Sequence, residues 1–484
     1  MTEISKTHAS QHSYDDKSMI SRWVMICVML GTGTVSLNNS SFNPALVQLM
    51  HDFKIGEAAV SWFMVSFLLA MSLSLLLTGF LSQRFGKREV YLGALALFVL
   101  TSGVGAFAEH YETVLAVRAL QGFASGLMIP LSLGIIFSVT PQQQRGAATG
   151  LWGAMIMLTL ACGPMLGAVL LIWWNWPALF LVNIPFGLFA LVLGWLHLPK
   201  QTRNRSETFD WFGYLLLSVC IISLLLALGQ VKTLFDLESF KFFLLITIST
   251  LSGLCFWVKT RKQQSSLIKW QIFESRGFNY SLFISVIHTI GLFISLLVIP
   301  LFIQNTLKLS PIWTGILLMT SALTTSLCSK WAGEFLDRHG AKFLISLGII
   351  LTALAFLGLS AGGHLPITYL IVCMGLHGLG FGLSYMPATT AGLNSLSDQE
   401  LVTQGAAMNN LLRRTCSAVA VVIAALYLQI RTHSLLPFYE LDRAQLTSIR
   451  ELFLICAALL LLALPCAWRF PYLKQMDAHR SSKI

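Results

Sequence analysis

Fourteen stretches of the chain are almost entirely apolar and are about as long as a membrane-spanning helix. A helix that crosses about 30 Å of hydrocarbon needs about 20 mostly apolar residues, and such stretches recur here between charges, prolines and polar clusters. The predicted spans cover residues 20–47, 59–82, 90–108, 113–138, 147–172, 178–198, 211–230, 240–258, 278–304, 311–335, 343–361, 366–387, 402–429 and 451–468. The pattern therefore predicts an all-α integral membrane protein with fourteen transmembrane helices.

The composition excludes an ordinary soluble enzyme. Of the 484 residues, 55% are hydrophobic and only 11% are charged, whereas soluble domains average about 45–50% and about 25%. The nine cysteines all fall inside predicted spans without a C-x-x-C pair, so they are interpreted as small buried hydrophobic residues. We expect no metal, no cofactor and no catalytic site, and the chain has no nucleotide-binding signature that would make ATP its energy source.

The basic residues predict how the chain is oriented. Most of the 32 Lys and Arg residues fall in segments on one side of the membrane if the N-terminus is inside, and cytoplasmic segments carry such an excess. We therefore predict a multi-pass protein of the plasma membrane, which is the inner membrane in a Gram-negative source, with both termini cytoplasmic. The net charge of +11 then reflects topology and attraction to anionic lipid. No basic face indicates nucleic-acid binding.

Two parts of the chain repeat at long period, as in many transporters. At an offset of 254, the turn after the second span matches the turn after the tenth: Gly79, Arg84 and Gly86 pair with Gly333, Arg338 and Gly340. A second match, after a small insertion, pairs Gly122 and Gly126 with Gly378 and Gly382. We predict six-helix halves over residues 20–198 and 278–472, separated by residues 199–277 with two extra helices, and cytoplasmic tails over residues 1–19 and 473–484.

The two extra spans, 211–230 and 240–258, have no charge in their interior. This predicts a peripheral, lipid-facing position for both. Residues 264–276 are amphipathic, which is typical of a helix that lies along the membrane interface.

The repeated turns resemble the G-x-x-x-D-R-x-G-R-R signature of the major facilitator superfamily, in which Gln83 stands where the family has Asp. The resemblance implies gating loops formed by Gly79, Gln83, Arg84, Gly86, Arg88, Gly333, Asp337, Arg338 and Gly340. The fifth span is similar to the antiporter motif of that family at Gly150, Gly163, Pro164 and Gly167. The stretch with Trp176, Phe180, Asn183, Pro185 and Gly187 resembles the 14-helix drug:proton antiporter branch, as do Pro300, Gln304, Ser310, Pro311 and Gly315.

Polar and charged residues inside the spans are the candidates for a substrate cavity, because charge in a membrane is expensive and usually faces a cavity. The candidates are Asn38, Asn39, Asn43, Arg118, Gln121, His288, His377, Asn409, Asn410, Arg413 and Arg414. The alternative for the asparagines is interhelical hydrogen bonding. Asn38 occupies the position where the related family has an aspartate.

No acidic residue lies deep in a predicted span, although a proton-coupled exporter needs a titratable group that faces its cavity. His288 and His377 are the remaining candidates for proton coupling, because the ordinary histidine pKa of about 6.5 suits a proton relay. His377 occupies the repeat position of Gln121. Each histidine can equally be a neutral, hydrogen-bonded packing residue.

The resemblance implies a secondary active transporter that exports a drug-like or amphipathic molecule from the cytoplasm by alternating access, with proton antiport. The alternative is an exporter of an anionic or zwitterionic metabolite, such as a carboxylate siderophore, coupled through histidines or not coupled to protons. The expected partners are the substrate, protons and membrane lipid. Whether a periplasmic adaptor protein also binds is left open.

Overall fold

The structure is a computed structural model that describes residues 3–141, 144–200, 209–231, 239–262, 270–339, 341–396 and 398–470. Within these ranges, the side chains of residues 3–21, 146, 147, 262, 330, 333, 334, 337–339, 364, 399, 400 and 403 are outside the description. The described part is all-helical and contains no strand.

Fourteen long helices make up this described part. They are α1 (Glu3–Ser41), α2 (Glu57–Phe85), α3 (Lys87–Ala106), α4 (Tyr111–Val139), α5 (Arg145–Trp173), α6 (Asn183–His197), α7 (Trp211–Gln230), α8 (Phe240–Lys262), α9 (Arg276–Pro300), α10 (Pro311–His339), α11 (Ala341–Ala361), α12 (Ile367–Asn394), α13 (Gln399–Leu435) and α14 (Leu441–Leu462). Thirteen helical stretches within the described residues are long and apolar enough to cross a membrane. Helix α1 is not in that set, which is drawn from the described residues alone. The predicted membrane fold is confirmed.

Prolines end two helices earlier than the apolar pattern predicts. The first span is predicted to continue to residue 47, but α1 ends at Ser41 and is followed by a 3-10 turn, Asn43–Ala45, and a short helix, Leu46–Phe53. Pro44 lies in that turn, and proline has no N–H to continue a helix. Asn43 therefore lies beyond α1. Similarly, α9 ends at Pro300 and continues as a π-helix, Leu301–Thr306.

Glu451 lies well inside helix α14 and is paired with a basic residue of the neighbouring helix. The last span is predicted to begin at residue 451, but α14 begins ten residues earlier, at Leu441. Arg431 of α13 donates to both carboxylate oxygens of Glu451, at 2.7 and 2.8 Å, and the Tyr427 hydroxyl donates at 2.6 Å. Such a bidentate pair neutralises the carboxylate. The hydropathy pattern missed it because α14 starts with a polar segment.

The internal repeat is visible in how the helices pack. A Cβ atom added at Gly122 of α4 would collide with the Phe67 carbonyl of α2, and one at Gly378 of α12 would collide with the Ser321 carbonyl of α10. Phe67 and Ser321 are 254 positions apart, as the repeat requires. Small residues at these points let two helix backbones approach closely. The same contact therefore joins α2 to α4 and α10 to α12.

The loops repeat as well. Lys54 and Lys308, also 254 positions apart, have the left-handed backbone conformation, with φ of 52° and 55°. Each follows a short helical segment at the end of the bundle where α1 connects to α2, which is called the α1–α2 end below. Non-glycine residues rarely adopt this conformation, so its recurrence at matched positions reflects a shared turn.

Two helix–helix contacts join the predicted halves, and α7 packs against the helices of one of them. Helix α5 packs against α10, and α2 packs against α13. Helix α7 contacts both α2 and α13, while α8 packs mainly on α7 and exposes apolar side chains such as Phe243, Leu251 and Leu254. Residues 264–269 of the predicted interfacial segment 264–276 lie outside the described residues, and Trp270–Glu274 is a 3-10 helix. The predicted domain boundaries stay a prediction.

The glycine contacts predict an unequal response to two neighbouring substitutions in α12. Gly378→Ala forces a methyl group into the α10 backbone, so the free energy of unfolding should fall by about 1–3 kcal/mol. Gly375→Ala is the matched control, because its nearest neighbour would be the Thr320 methyl at 3.8 Å. Thermal melting of the two purified variants in detergent tests this. Equal melting temperatures would show that the close approach is not needed.

Candidate functional site

A cavity of about 430 Å³ lies between the two predicted halves, a size typical of small-molecule sites. Its walls come from α1, α2, α4 and α5 on one side and from α9, α10, α12 and α13 on the other. Most of the lining is apolar. Five of the predicted cavity residues line it, namely Asn39, Asn43, His377, Arg413 and Arg414.

The other six predicted cavity residues are not among the lining side chains. These are Asn38, Arg118, Gln121, His288, Asn409 and Asn410. Their helices do border the cavity, but the rotation of each helix turns these side chains toward its neighbours. For all eleven residues, a role in substrate binding stays a prediction.

Close contacts shut the cavity at the α1–α2 end. Gln304, in the π-helix after α9, donates to the Pro44 carbonyl at 3.0 Å and to Thr314 Oγ1 at 3.1 Å. This hydrogen bond joins the two predicted halves. Nearby, a Cβ at Gly315 of α10 would lie 3.0 Å from the Pro164 carbonyl of α5, so the two helices touch there. The π-helix places the Gln304 amide at this junction, as π-helices often do at functional sites.

The antiporter-motif glycines of α5 serve close packing against α1. A Cβ at Gly163 would collide with the Ser40 side chain, and one at Gly167 with the Ser41 carbonyl. Gly150, nearer the start of α5, has no neighbouring atom within 4 Å of an added Cβ. Helix α5 is therefore tightly packed only toward the α1–α2 end. A role of this motif in antiport stays a prediction.

The first predicted gating loop is a tight turn between α2 and α3. Gly86 ends α2 and begins α3 with φ of 97°, a conformation that side chains rarely adopt. Arg88 donates to the Trp195 carbonyl near the end of α6, and Arg84 lies over the Phe80 ring. Gln83 is exposed, and Gly79 has open space around it. In the second loop, Gly340 and the side chains of Asp337 and Arg338 lie outside the described residues, as does the side-chain environment of Gly333.

Arg118 is buried in the N-terminal half beside the cavity, with 1% of its surface exposed. Its guanidinium donates to Asn38 Oδ1 at 2.8 Å, to Gln121 Oε1 at 3.1 Å and to the Phe63 carbonyl at 3.4 Å. No carboxylate pairs with it among the described residues. Neutral oxygens therefore hold this arginine, and Asn38 supplies the shortest of its bonds.

Two aromatic rings complete the Arg118 environment. The guanidinium carbon lies 4.4 Å from the centroid of Phe42 and 4.5 Å from that of Phe67. A desolvated cation over an aromatic face gains about 2 kcal/mol or more. Gln121 in turn donates to Ser102 Oγ at 3.0 Å, so the cluster extends from α1 through α4 to α3.

His288 is buried between α9 and α12. Its Nδ1 lies 3.2 Å from the Ile284 carbonyl, and its Nε2 lies 2.7 Å from Ser384 Oγ, which also reaches the Gly380 carbonyl at 2.8 Å. A neutral ring can donate from Nδ1 to Ile284 and accept from Ser384 at Nε2. A protonated ring can donate from both nitrogens while the Ser384 hydroxyl turns to Gly380. Rotation of one hydroxyl thus accommodates both protonation states.

His377 lines the cavity with one nitrogen unpaired. Its Nδ1 lies 2.9 Å from Ser321 Oγ, whereas its Nε2 has no hydrogen-bond partner among the described residues. Its ring is stacked with Phe381, 6.4 Å between centroids, and the His288 ring touches the same Phe381 edge-to-face at 6.0 Å. Both predicted proton-coupling histidines therefore contact one aromatic ring in the cavity wall.

Arg413 and Arg414 bring two guanidinium groups to the cavity from α13. Arg413 donates to Asn410 Oδ1 at 3.0 Å, and its guanidinium carbon lies 4.7 Å from the Tyr385 ring centroid. The Nε atoms of both arginines are buried without a hydrogen-bond partner among the described residues. Among the side chains that the structure describes, no Asp or Glu lines the cavity.

Sequence reasoning missed Phe381 and Ser321, which line the cavity beside His377, and Ser384, which is buried and contacts His288. The available signal was the four-residue spacing of His377, Phe381 and Tyr385, which places three rings on one face of α12. Aromatic residues are so common in membrane helices that this spacing drew no attention without the tertiary contacts.

A model of the Major Facilitator Superfamily matches residues 28–421 and 281–483. The chain belongs to the major facilitator superfamily. It is therefore a multi-pass membrane transporter, and the prediction that it is not an enzyme is confirmed.

Several members of the superfamily resemble the chain over most of its length. A multidrug resistance protein B homolog of Mycobacterium tuberculosis is 28% identical over 83% of this chain and 75% of its own. The riboflavin transporter RibZ of Clostridioides difficile is 26% identical over 79% of this chain and 83% of its own. Multidrug resistance protein 3 of Bacillus subtilis is 25% identical over 78% of this chain and 74% of its own.

Solved structures of the superfamily share the fold. The xylose transporter XylE from E. coli, in a partially occluded inward-open conformation, has a TM-score of 0.61 at 15% identity and covers 93% of this chain and 99% of its own. A bacterial homolog of the human lysosomal transporter Spinster has a TM-score of 0.66 at 11% identity and covers 93% of this chain and 96% of its own. At these identities the likeness concerns the fold alone.

The Arg118 cluster predicts a strong energetic coupling between two side chains. Arg118→Met leaves the Asn38 and Gln121 oxygens without a donor and removes two cation–π contacts, so it should cost about 2–4 kcal/mol of stability. In a double-mutant cycle with Asn38→Ala, the two effects should deviate from additivity by about 1–3 kcal/mol. Denaturant unfolding of purified protein measures both. The exposed control Arg443→Met should combine additively with Asn38→Ala. If Arg118→Met and Asn38→Ala are also additive, the two side chains are not coupled in stability and the prediction is wrong.

Proposed function

We propose that this transporter exports a small amphipathic organic molecule from the cytoplasm by alternating access. The cavity between the two predicted halves, shut at one end by the Gln304–Pro44 hydrogen bond, carries this proposal. A central site with a closed barrier on one side is what such a cycle requires, because rocking of the halves must expose the site to one side at a time.

The export direction of this proposal comes from the resemblance to drug exporters, and the distribution of basic residues supplies the orientation of the chain in the membrane. The turn between α2 and α3 carries Arg84, Lys87 and Arg88, and the positive-inside rule places it in the cytoplasm. Both termini then lie in the cytoplasm of a plasma-membrane protein. The closed α1–α2 end faces outward, and the cavity is poised to receive substrate from the cytoplasmic side.

The cavity walls favour an amphipathic substrate. Apolar side chains such as Trp152, Ile156 and Met157 line one side, and methionine adapts to ligands of different shape. Asn39 of α1 and Asn43 in the turn after α1 also line the cavity and add polar contacts. Transport of drug-like molecules agrees with the multidrug resistance proteins among the relatives, and transport of a flat metabolite agrees with the riboflavin transporter.

Proton antiport is proposed to run through His288 and His377. Ser384 lets His288 hold or release a proton without an unpaired hydrogen-bonding group, and His377 places a free nitrogen in the cavity. A substrate that contacts His377 would compete with its protonation, which is the exclusion that antiport requires.

A second candidate substrate class is an anionic or zwitterionic metabolite. Arg413 and Arg414 line the cavity, and none of the lining residues within the described part of the chain is acidic. Uncompensated charge at membrane depth usually marks a substrate or ion pathway. Under this candidate, the arginines neutralise the substrate, and coupling to protons is through the histidines or absent.

Flux into proteoliposomes tests the transport proposal. With an imposed pH gradient, the purified protein should concentrate at least one compound from a panel of cationic, neutral and anionic aromatic molecules, and protein-free liposomes should not. Uptake that is unchanged after the gradient is collapsed with an ionophore would contradict proton antiport. The charge of the accepted compounds decides between the two substrate classes.

Replacement of His377 by glutamine should separate coupling from transport. Glutamine is the residue at the repeat position in the other half, Gln121, so the fold should tolerate it. We expect His377→Gln to abolish uptake driven by the pH gradient and to preserve exchange of labelled for unlabelled substrate at equal pH. The exposed control His110→Gln should retain both. Gradient-driven uptake that persists in a His288→Asn, His377→Gln double variant would exclude coupling by histidine.

A further inference from the structure

One wall of the cavity is a continuous aromatic strip on α12. His377, Phe381 and Tyr385 are spaced four residues apart and share one helix face. The Phe381 and Tyr385 rings are stacked at 4.8 Å between centroids and 20° between planes, and the His377 and Phe381 rings at 6.4 Å and 18°. Eight residues of helix rise about 12 Å. Because the rings are stacked on one another, the strip presents their edges to the cavity, over a length that matches a two- or three-ring ligand.

The two arginines of α13 mark one end of this strip. The Arg413 guanidinium lies over Tyr385, the last ring of the strip, and Arg414 is its immediate neighbour along the chain. Both have an unpartnered Nε within the described structure, and neither belongs to an ion pair of the described residues. Two adjacent, desolvated positive charges repel each other, and an anion held between them would relieve that repulsion.

The other end of the strip offers a hydrogen-bonding group. His377 is 1% exposed, lines the cavity and has an unpaired Nε2. A buried nitrogen without a partner is costly unless a ligand or water satisfies it. The strip therefore has a cationic end at Arg413 and a neutral, hydrogen-bonding end at His377.

The facing wall supplies apolar contact and no opposite charge. Trp152 of α5 donates its indole N–H to Ser132 Oγ at 2.8 Å, which fixes the orientation of its ring. Ile156 and Met157 follow on the same helix. A flat ring system on the α12 strip would be covered from this side, and no described residue that lines the cavity is a carboxylate that could attract a cation.

We propose that the cavity selects flat aromatic anions. The face of the ring system packs against the edges of Phe381 and Tyr385, and a carboxylate or sulfonate group binds Arg413 and Arg414. A second polar group on the ligand reaches His377. The inference rests on the proposed function, because it assigns the substrate class of the same cavity. Cationic aromatic drugs are excluded by the same two arginines.

Equilibrium binding of three matched probes to the purified, lipid-reconstituted protein tests the selectivity. Naphthalene sulfonate has ring and anion, cyclohexane sulfonate lacks the aromatic face, and naphthyl trimethylammonium reverses the charge. We expect naphthalene sulfonate to bind most tightly and the cation most weakly. Tighter or equal binding of naphthyl trimethylammonium would overturn the proposal.

Variants then assign the selectivity to residues. Arg413→Gln and Arg414→Gln should each weaken naphthalene sulfonate binding by about ten- to a hundredfold, since each removes a charged hydrogen-bond donor. Tyr385→Leu should weaken naphthalene sulfonate several-fold and leave cyclohexane sulfonate unchanged. Arg443→Gln, an exposed arginine, is the charge-matched control and should change nothing. Unaltered binding by Arg413→Gln and Arg414→Gln, with melting temperatures like wild type, would refute the site.

Exchange of labelled naphthalene sulfonate across proteoliposomes separates this inference from the proposed function. Selective binding with the expected variant effects but no exchange would support the anion site and contradict transport through it. Exchange of the naphthyl cation that is insensitive to both arginine variants would support transport and contradict the anion site.

Discussion

The cost of burying a guanidinium group in a low-dielectric bundle organises this molecule. Arg118, Arg413 and Arg414 all lie inside the helices, and none has a carboxylate partner among the described residues. Arg118 is fully accommodated, with three oxygen acceptors and two aromatic faces. Arg413 and Arg414 retain unpaired Nε atoms. An arginine that its own protein satisfies holds helices together, whereas one that it leaves unsatisfied is available to a ligand.

The two halves share a scaffold and differ in chemistry. The close helix contacts at Gly122 and Gly378 recur at matched positions, because backbone approach depends on the missing side chain and on little else. The neighbouring polar residues do not recur. Gln121 of one half bonds Arg118, while His377 at the matched position of the other half turns a free nitrogen to the cavity. The matched positions therefore differ: the polar groups of the N-terminal half bond one another, and a polar atom of the C-terminal half is left unpaired in the cavity wall within the described structure.

Prediction from sequence failed where polar residues interrupt an apolar run inside a helix. The apolar pattern starts the last span ten residues after the beginning of α14, because Arg443 and Arg450 are charged. Helix α14 extends through them, and Glu451 is neutralised by Arg431 of the adjacent α13. Hydropathy is computed along the chain and does not report an ion pair between two helices. The pair is visible only in the tertiary structure.

The sequence by itself determined the membrane class, the number of long helices, the repeat and the superfamily, because span length, glycine spacing and motif residues are local properties of the chain. It also placed His377 and Arg413 on helices that border the cavity. Only the tertiary structure decided which polar side chains face that cavity. The rotation of each helix is set by its packing against neighbours. Asn38 and Asn39, adjacent in sequence, therefore point to different environments, one to Arg118 and the other to the cavity.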